Sequence, residues 1–368
     1  VHVPFCRHRC GYCNFTVVAG RDDLIDAYLS AIEQEMATMG APAPCDTVFL
    51  GGGTPTHLTL GQLTRLLAAI ERWFPLAHGG EWSVEANPAD ITHSTADLLA
   101  DYGVNRVSLG AQSFDADKLS LLERDHRASD IRHAVEICLP RFTSVSLDLI
   151  FGAPGENLDA WRQDLQAALE LAPQHISTYG LTFERGTTFW GRRLSGDLRS
   201  IEEDTELALY ETAIDTLTDA GFEHYEVSNF ARPGHRCRHN EVYWSGGRYW
   251  AVGPGAARYL GNTRSSNHRS TFTYLRRIHS GQSPVAESET LAPEDQAREK
   301  LVLGLRKMEG VLLADFERDT GFAPHDLAGG AISRFIQWGL LAQQEDRLQL
   351  TRSGLMVSDS LWPEILRR

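Results

Sequence analysis

The sequence has 368 residues, 42% hydrophobic, 23% charged and 9% aromatic, a balance that excludes disordered and fibrous classes and suffices for two domains of unequal size. Acidic residues outnumber basic ones 49 to 35, a net charge of −14, which disfavours nonspecific binding to nucleic-acid phosphates and anionic lipid unless a local basic patch overrides it. No run approaches the roughly 20 apolar residues of a membrane-spanning helix and the start shows no leader, so a soluble, cytoplasmic protein with no nucleic-acid partner is expected.

A short β-rich run at 1–3 opens the chain; since it begins with Val1 rather than Met, a few native residues are expected to precede it. Cys6, Cys10 and Cys13 follow in the spacing C-x3-C-x2-C, with Cys45, Cys138 and Cys237 scattered beyond. Chance would produce this spacing with a probability on the order of one in a thousand, and a large, cysteine-poor chain is a poor candidate for a disulfide framework. Three thiolates on one loop can ligate three irons of a 4Fe-4S cube, leaving the fourth free to bind a substrate or cofactor. A zinc site would want a fourth ligand; His8 is near enough in sequence, but no second C-x2-C pair follows. Arg7 and Arg9 either lower the thiol pKa values and offset the cluster's negative charge or are solvated loop arginines. Cys45, read as a loop residue, and Cys138, in a helix, are expected to be unremarkable thiols.

From here β-rich runs alternate with segments of helical period. Leu24, Tyr28, Ile32 and Met36 recur every four residues and mark an amphipathic helix,. The strand 47–50 then runs into Gly51-Gly52-Gly53-Thr54-Pro55-Thr56, where glycines either let backbone approach a ligand or make a tight turn. The strand 82–85 ends in Glu85-Ala86-Asn87-Pro88; Glu85 can accept a hydrogen bond from a ligand cation or ribose, or be a solvated strand-end acid. Strands 106–109 and 145–148 place Gln112, Arg124 and Asp148 at or just past their ends, as candidates for orienting ribose, carboxylate or a second ligand. Trp161, Leu165 and Leu169 form another helical stripe before the strand 175–179. These units predict an α/β fold, a partial (β/α)6 barrel with its active site at the C-terminal strand ends.

After Gly221 the sequence changes to short strands and turns rich in Gly, Asn and Arg up to about Asn267, predicting a β-rich extension of the barrel. A polar stretch around 281–293 separates it from helical periodicity at 298–306 and a short strand at 348–351 before a last helix. The expected division is 1–220, 221–285 and 286–368, the last a small, mainly helical, winged-helix-like domain that the acidic balance argues against reading as a DNA binder.

With Tyr12 as the aromatic of C-x3-C-x-aromatic-C, the cysteine segment resembles the signature of the radical S-adenosylmethionine (SAM) superfamily. The resemblance implies that the SAM methionine group chelates the open iron, that an electron from the cluster cleaves the sulfonium to give a 5′-deoxyadenosyl radical, and that the glycine-rich strand end binds the methionine ammonium. On Asn105 to Phe114, Arg124-Asp125-His126, Ser146 to Gly155, His175 to Tyr179, Leu181 to Thr187 and Tyr225 to Phe230, the chain is similar over nearly its whole length to the oxygen-independent coproporphyrinogen III oxidase group. That likeness implies a cluster on Cys6, Cys10 and Cys13, and SAM held by Gly52, Gly53, Thr54, Glu85, Gln112, Arg124 and Asp148, with Tyr12 and Phe15 beside it. No catalytic residue is assigned.

Two activities occur in this group: the oxidase decarboxylates propionates in porphyrin biosynthesis, and the HemW branch consists of haem chaperones. The oxidase signature has a further cysteine two positions after the third, where this chain has Phe15, and His239-Asn240-Glu241-Val242-Tyr243-Trp244 matches the H-N-x-x-Y-W motif of the chaperone branch. The likeness therefore implies a protein that binds the cluster, SAM and haem and passes haem to haem-accepting proteins, with dimerisation and peripheral docking to membrane-associated acceptors as further implications. The alternatives are an oxygen-independent coproporphyrinogen dehydrogenase and a simple iron–sulfur electron carrier. An exposed His239 imidazole beside two aromatics could ligate ferric haem; otherwise His239 and Asn240 cap a turn, Tyr243 and Trp244 pack the barrel edge, and another side chain such as Cys237 is the ligand. Ala257-Arg258 and the run Leu122 to His126 depart from the family's usual pattern, leaving the geometry around Arg124 and Arg258 open.

Overall fold

The computed structural model describes residues 1–367. Its main sheet has eight strands, of which His2–Val3, Cys45–Gly52, Leu76–Ala86, Arg106–Gln112, Ser144–Phe151 and His175–Gly180 are parallel neighbours in chain order. Asn229–Ala231 and Glu223–Glu226 continue the sheet antiparallel beyond His175–Gly180. Helices Ile25–Ala37, Leu60–Trp73, His93–Asp101, Ala128–Cys138 and Leu158–Glu170 connect the parallel strands. This is the α/β partial barrel expected from the sequence.

Period-two alternation explains how each strand can be buried on both faces. Trp82, Val84, Val107, Leu109, Val145, Leu147 and Ile176 are buried in the main apolar core. The intervening residues are polar: Glu81, Ser83 and Glu85; Arg106 and Ser108; Ser144, Ser146 and Asp148; His175 and Ser177. Parallel register aligns them in rows, pairing Glu85 with Ser108, Ser108 with Ser146, and Asp148 with Ser177. The rows satisfy one another: Ser108 Oγ donates to Asp148 (2.9 Å), Ser146 Oγ bonds His175 Nδ1 (2.8 Å), and Arg106 Nε donates to Glu81 (3.0 Å). A buried polar group without such a partner would cost roughly 1–3 kcal/mol.

The helices bury the predicted stripes, with Tyr28, Ile32, Met36, Trp161 and Leu165 fully enclosed. Their starts are fixed by side-chain caps, including a Thr59–Gln62 capping box and Asn157 accepting from two backbone N–H groups,. A buried ion triad ties the loops at the C-terminal strand ends together: Lys118 pairs with Glu156 and Asp164, and Asp164 also accepts from Ser113 Oγ and Phe114 N. That anchor directly follows Gln112, held at φ 65° where the strand register slips.

Three local expectations are corrected. Cys45 opens the strand Cys45–Gly52 rather than lying in a loop, whereas Cys138 is a buried helical thiol as read. The polar stretch contains the strand Val285–Thr290, which pairs with Thr263–Asn267, itself paired with Ala257–Leu260. The boundary expected near 285 thus falls at the first residue of a strand of that sheet. Residues 286–290 of this strand are exposed, so it has no apolar alternation to announce it. Finally, His239 to Trp244 lie on the helix Arg238–Trp244, not on a turn.

Beyond this sheet, Pro293–Leu305, Leu313–Thr320, Pro324–Gln337 and the closing helices surround a small sheet in which Arg347–Leu350 lies between Val311–Leu312 and Leu341–Gln344. Among the described residues no helix is long and apolar enough to cross a membrane.

Candidate functional site

At the C-terminal ends of the parallel strands lies a cavity of about 560 Å3. Cys6, Cys10, Cys13, Tyr12, Phe15, Gly52, Gly53, Thr54, Glu85, Gln112, Arg124 and Asp148 all line it. The predicted cluster and cofactor residues are therefore neighbours in space, and His239 is not among them.

The cysteine loop leaves the strand His2–Val3 and is clamped from both sides. Arg269, from the segment after the strand Thr263–Asn267, donates to Asn14 O (2.5 Å) and Thr16 Oγ1 (3.2 Å), and Phe189 N donates to Gly11 O (2.9 Å). Arg124 Nη1 donates to Cys10 Sγ (3.3 Å) and Thr54 Oγ1 to Cys6 Sγ (3.4 Å), so two sulfurs already meet donors that favour thiolate,. Burial pushes the Cys6 thiol up to about 11, against the Thr54 hydrogen bond, and raises the Cys13 thiol as well. A bound metal cation supplies the charge that deprotonates such thiols. Among the described residues no three His, Cys, Asp or Glu side chains converge closely enough to hold a single ion; a 4Fe-4S cube instead takes one thiolate at each of three corners. Of the neighbouring arginines, Arg7 pairs with Asp90 (2.9 Å) rather than with a thiol, while Arg9 donates to Cys13 O (3.3 Å) and its charge partly opposes the burial that raises the Cys13 thiol.

Two carboxylates form the cavity floor. Gly52 N donates to Glu85 Oε2 (2.8 Å); burial pushes the Glu85 carboxyl up to about 7, and Asp148 pushes in the same direction. Asp148 is also raised by burial, opposed by hydrogen bonds from Ser177, Ser108 and Ser146 and by the Arg124 charge. A cationic ligand group is the natural counterpart of such a floor. Arg124 donates through Nη2 to Gly110 O (3.1 Å) and keeps Nε without a partner, a donor suited to an anionic ligand group. The glycines serve the protein's own packing here. A Cβ at Gly51 would lie 2.3 Å from Glu85 Oε2, one at Gly52 2.3 Å from the His2 ring, and one at Gly53 2.7 Å from Phe5 O. Tyr12 packs edge-on against Phe189 (centroids 6.1 Å apart), and Phe15 is 68% exposed at the rim.

His239 sits elsewhere, beside Thr47 and Glu81 toward the N-terminal ends of the strands. Its Nδ1 bonds Thr47 Oγ1 (2.8 Å), its Nε2 bonds Tyr243 OH (2.9 Å), and its ring stacks on Phe49 with centroids 5.0 Å apart. Desolvation lowers its pKa to about 4. Glu81, 7% exposed, accepts from Arg238 N and His239 N and holds the helix start in place. The exposed imidazole expected from the motif is corrected accordingly: it is half-buried and both nitrogens are already hydrogen-bonded within the protein. Cys237, likewise considered as a ligand, is buried, and desolvation pushes its thiol up to about 12. Arg258 faces Ser265 (2.9 Å) and Glu35 (3.8 Å), away from the cavity.

Sequence reasoning left Ser108 and Tyr179 unassigned, although both line the cavity. The period-two pattern of the strands 106–112 and 175–180, read inward from Gln112 and from Ser177, would have found them.

Residues 1–168 match the family described as the radical SAM superfamily, and residues 291–357 match the HemN C-terminal domain. The chain is 35% identical to the protein named heme chaperone HemW of Lactococcus lactis, over 99% of this chain and 96% of that one. It is 34% identical to the Bacillus subtilis protein of the same name, over 100% and 98%. Coproporphyrinogen III oxidase (HemN) from Escherichia coli, described as a radical SAM enzyme, superposes with a TM-score of 0.87 at 22% identity, over 99% of this chain and 88% of that one.

Proposed function

The chain belongs to the radical SAM superfamily and, within it, to the HemN/HemW group, and from this premise we propose that it is a haem chaperone that binds haem and hands it to haem-accepting proteins. The observation that carries this reading is similarity to named haem chaperones along the whole chain. Phe15 in place of a fourth cysteine and the His239 to Trp244 motif support it.

Membership of the superfamily implies a 4Fe-4S cluster and SAM, and the cavity residues fit both. When bound, the cluster supplies a redox-active iron with an open position, and SAM a reducible sulfonium. Cys6, Cys10 and Cys13 would hold the cluster, with Arg124 and Thr54 hydrogen-bonding its sulfur ligands. Glu85 and Asp148 would take the cationic end of SAM, Gln112 and the Arg124 Nε its polar groups, and Gly52, Gly53, Thr54, Tyr12 and Phe15 would enclose it. In this reading residues 1–220 hold the cofactors, the stretch from 221 through the strand Val285–Thr290 braces the cysteine loop, and the helices from Pro293 onward pack with their small sheet on the same apolar core. A cytoplasmic location, dimerisation and peripheral docking to membrane-bound acceptors belong to the same proposal. A haem contact at His239 would require its bonds to Thr47 and Tyr243 to open.

The second reading, an oxygen-independent coproporphyrinogen III oxidase, is favoured by the fold shared with HemN. One experiment separates the two. Protein reconstituted anaerobically is titrated with haemin, followed at the Soret band, and is assayed with SAM and coproporphyrinogen III. A saturable Soret change without sustained protoporphyrinogen formation is expected; sustained turnover would overturn the chaperone reading.

A further inference from the structure

Beside the cofactor cavity, the segment 183–194, joined to the cysteine loop by the Phe189 N–Gly11 O bond, carries exposed side chains that neither the cluster nor SAM explains, and Phe15 at the cavity mouth extends that surface beyond its contact with SAM. Phe15 and Leu194, at 68% and 72%, are the most exposed large apolar side chains among the described residues. Leu194 ends the helix Thr188–Leu194, which is tied to the cysteine loop through Phe189. Arginines are laid over the aromatic rings of this segment: Arg185 over Trp190 at 5.8 Å and Arg193 over Phe183 at 5.3 Å. In a chain of net charge −14, these two exposed guanidiniums have no ion pair or side-chain hydrogen bond among the described residues. His8, on the same rim, has a side chain 52% exposed and no hydrogen bond among the described residues. Its Nε2 is 3.8 Å from Glu123, whose other oxygen is 3.7 Å from Arg192, so one carboxylate spans the imidazole and the helix.

Haem combines a flat apolar macrocycle, two carboxylates and an iron that takes an axial histidine. Each part has its counterpart here: exposed apolar side chains, two unpaired arginines held in place by stacking, and an imidazole with no competing hydrogen bond. Resting on the haem-chaperone reading, we propose that haem docks on this rim, its propionates on Arg185 and Arg193 and its iron on His8, rather than at His239.

The test is a haemin titration of full-length, cluster-loaded protein at matched iron content. Arg185→Glu together with Arg193→Glu should weaken haemin binding roughly tenfold or more, with SAM binding retained; lysine at both positions should largely restore it. His8→Ala should shift the Soret maximum, and His239→Ala should leave both affinity and spectrum unchanged. Wild-type affinity and spectrum in both the double glutamate variant and His8→Ala would overturn the inference. So would unchanged haemin affinity combined with lost binding to phosphatidylglycerol vesicles, which would assign the arginines to a membrane surface. If the wild-type protein shows no Soret change at all, the haem reading itself falls, a result distinct from either.

Discussion

At Glu85 two demands compete: the carboxyl is buried, which favours its neutral form, and it faces a cavity suited to a cation. Its pKa of about 7 has a definite sign in stability. A carboxyl raised above its unfolded value of roughly 4.3 stabilises the fold most at low pH, and that contribution is lost as pH rises through about 7,. The cofactor-free protein should lose up to about 4 kcal/mol between about pH 4.3 and about 7,, and Glu85→Gln should flatten the dependence, as urea titrations at several pH values can check. SAM should bind more tightly as pH rises through the same range, because its ammonium needs the ionised carboxylate. Gly52, at φ 111° and with a Cβ position 2.3 Å from the His2 ring, should tolerate no side chain: Gly52→Ala is expected to cost about 2–3 kcal/mol. Around the cavity, the cysteines were legible from their spacing, and Gly52, Gly53, Glu85, Gln112 and Asp148 because each ends or follows an apolar strand. The surroundings of His239 were not, because Thr47 and Glu81 lie 192 and 158 residues away along the chain.

Among the elements, the helix Arg238–Trp244 depends most on one distant side chain. Glu81 accepts from its first amides and from buried Arg106, so Glu81→Gln leaves a buried guanidinium without its counter-ion. A loss of about 3 kcal/mol is expected in chemical denaturation, together with altered fluorescence from Trp244 near the helix end; unchanged stability would contradict the assigned role. The parallel strands could be read from the sequence because short apolar runs of Val, Ile, Leu, Phe and Trp alternate with polar residues and are bounded by turn chemistry,. Val285–Thr290 could not, since five of its six residues are exposed and carry no period. The length of the His239 helix was equally hidden: it has no buried residue, so no apolar stripe marks it.

Across the whole molecule, the large core runs from between the main sheet and its helices into the C-terminal helices, and a smaller one consists of Leu122, Ile150, Ala153, Leu181, Phe189 and Leu198. Neither needs the cluster for its apolar contacts. Removing iron with a chelator should therefore leave the far-ultraviolet circular dichroism nearly unchanged, with faster amide exchange concentrated in residues 6–17; global unfolding would show instead that metal binding drives the fold, as in small zinc domains. The account depends most on three sulfur ligands leaving one iron open to SAM. Electron paramagnetic resonance of the anaerobically reconstituted, reduced protein, with and without SAM, tests this most directly. About four irons per chain and a signal that SAM shifts, both lost on replacing any one of Cys6, Cys10 or Cys13 by Ala, are predicted; bound zinc, or a cluster signal indifferent to SAM, would contradict it.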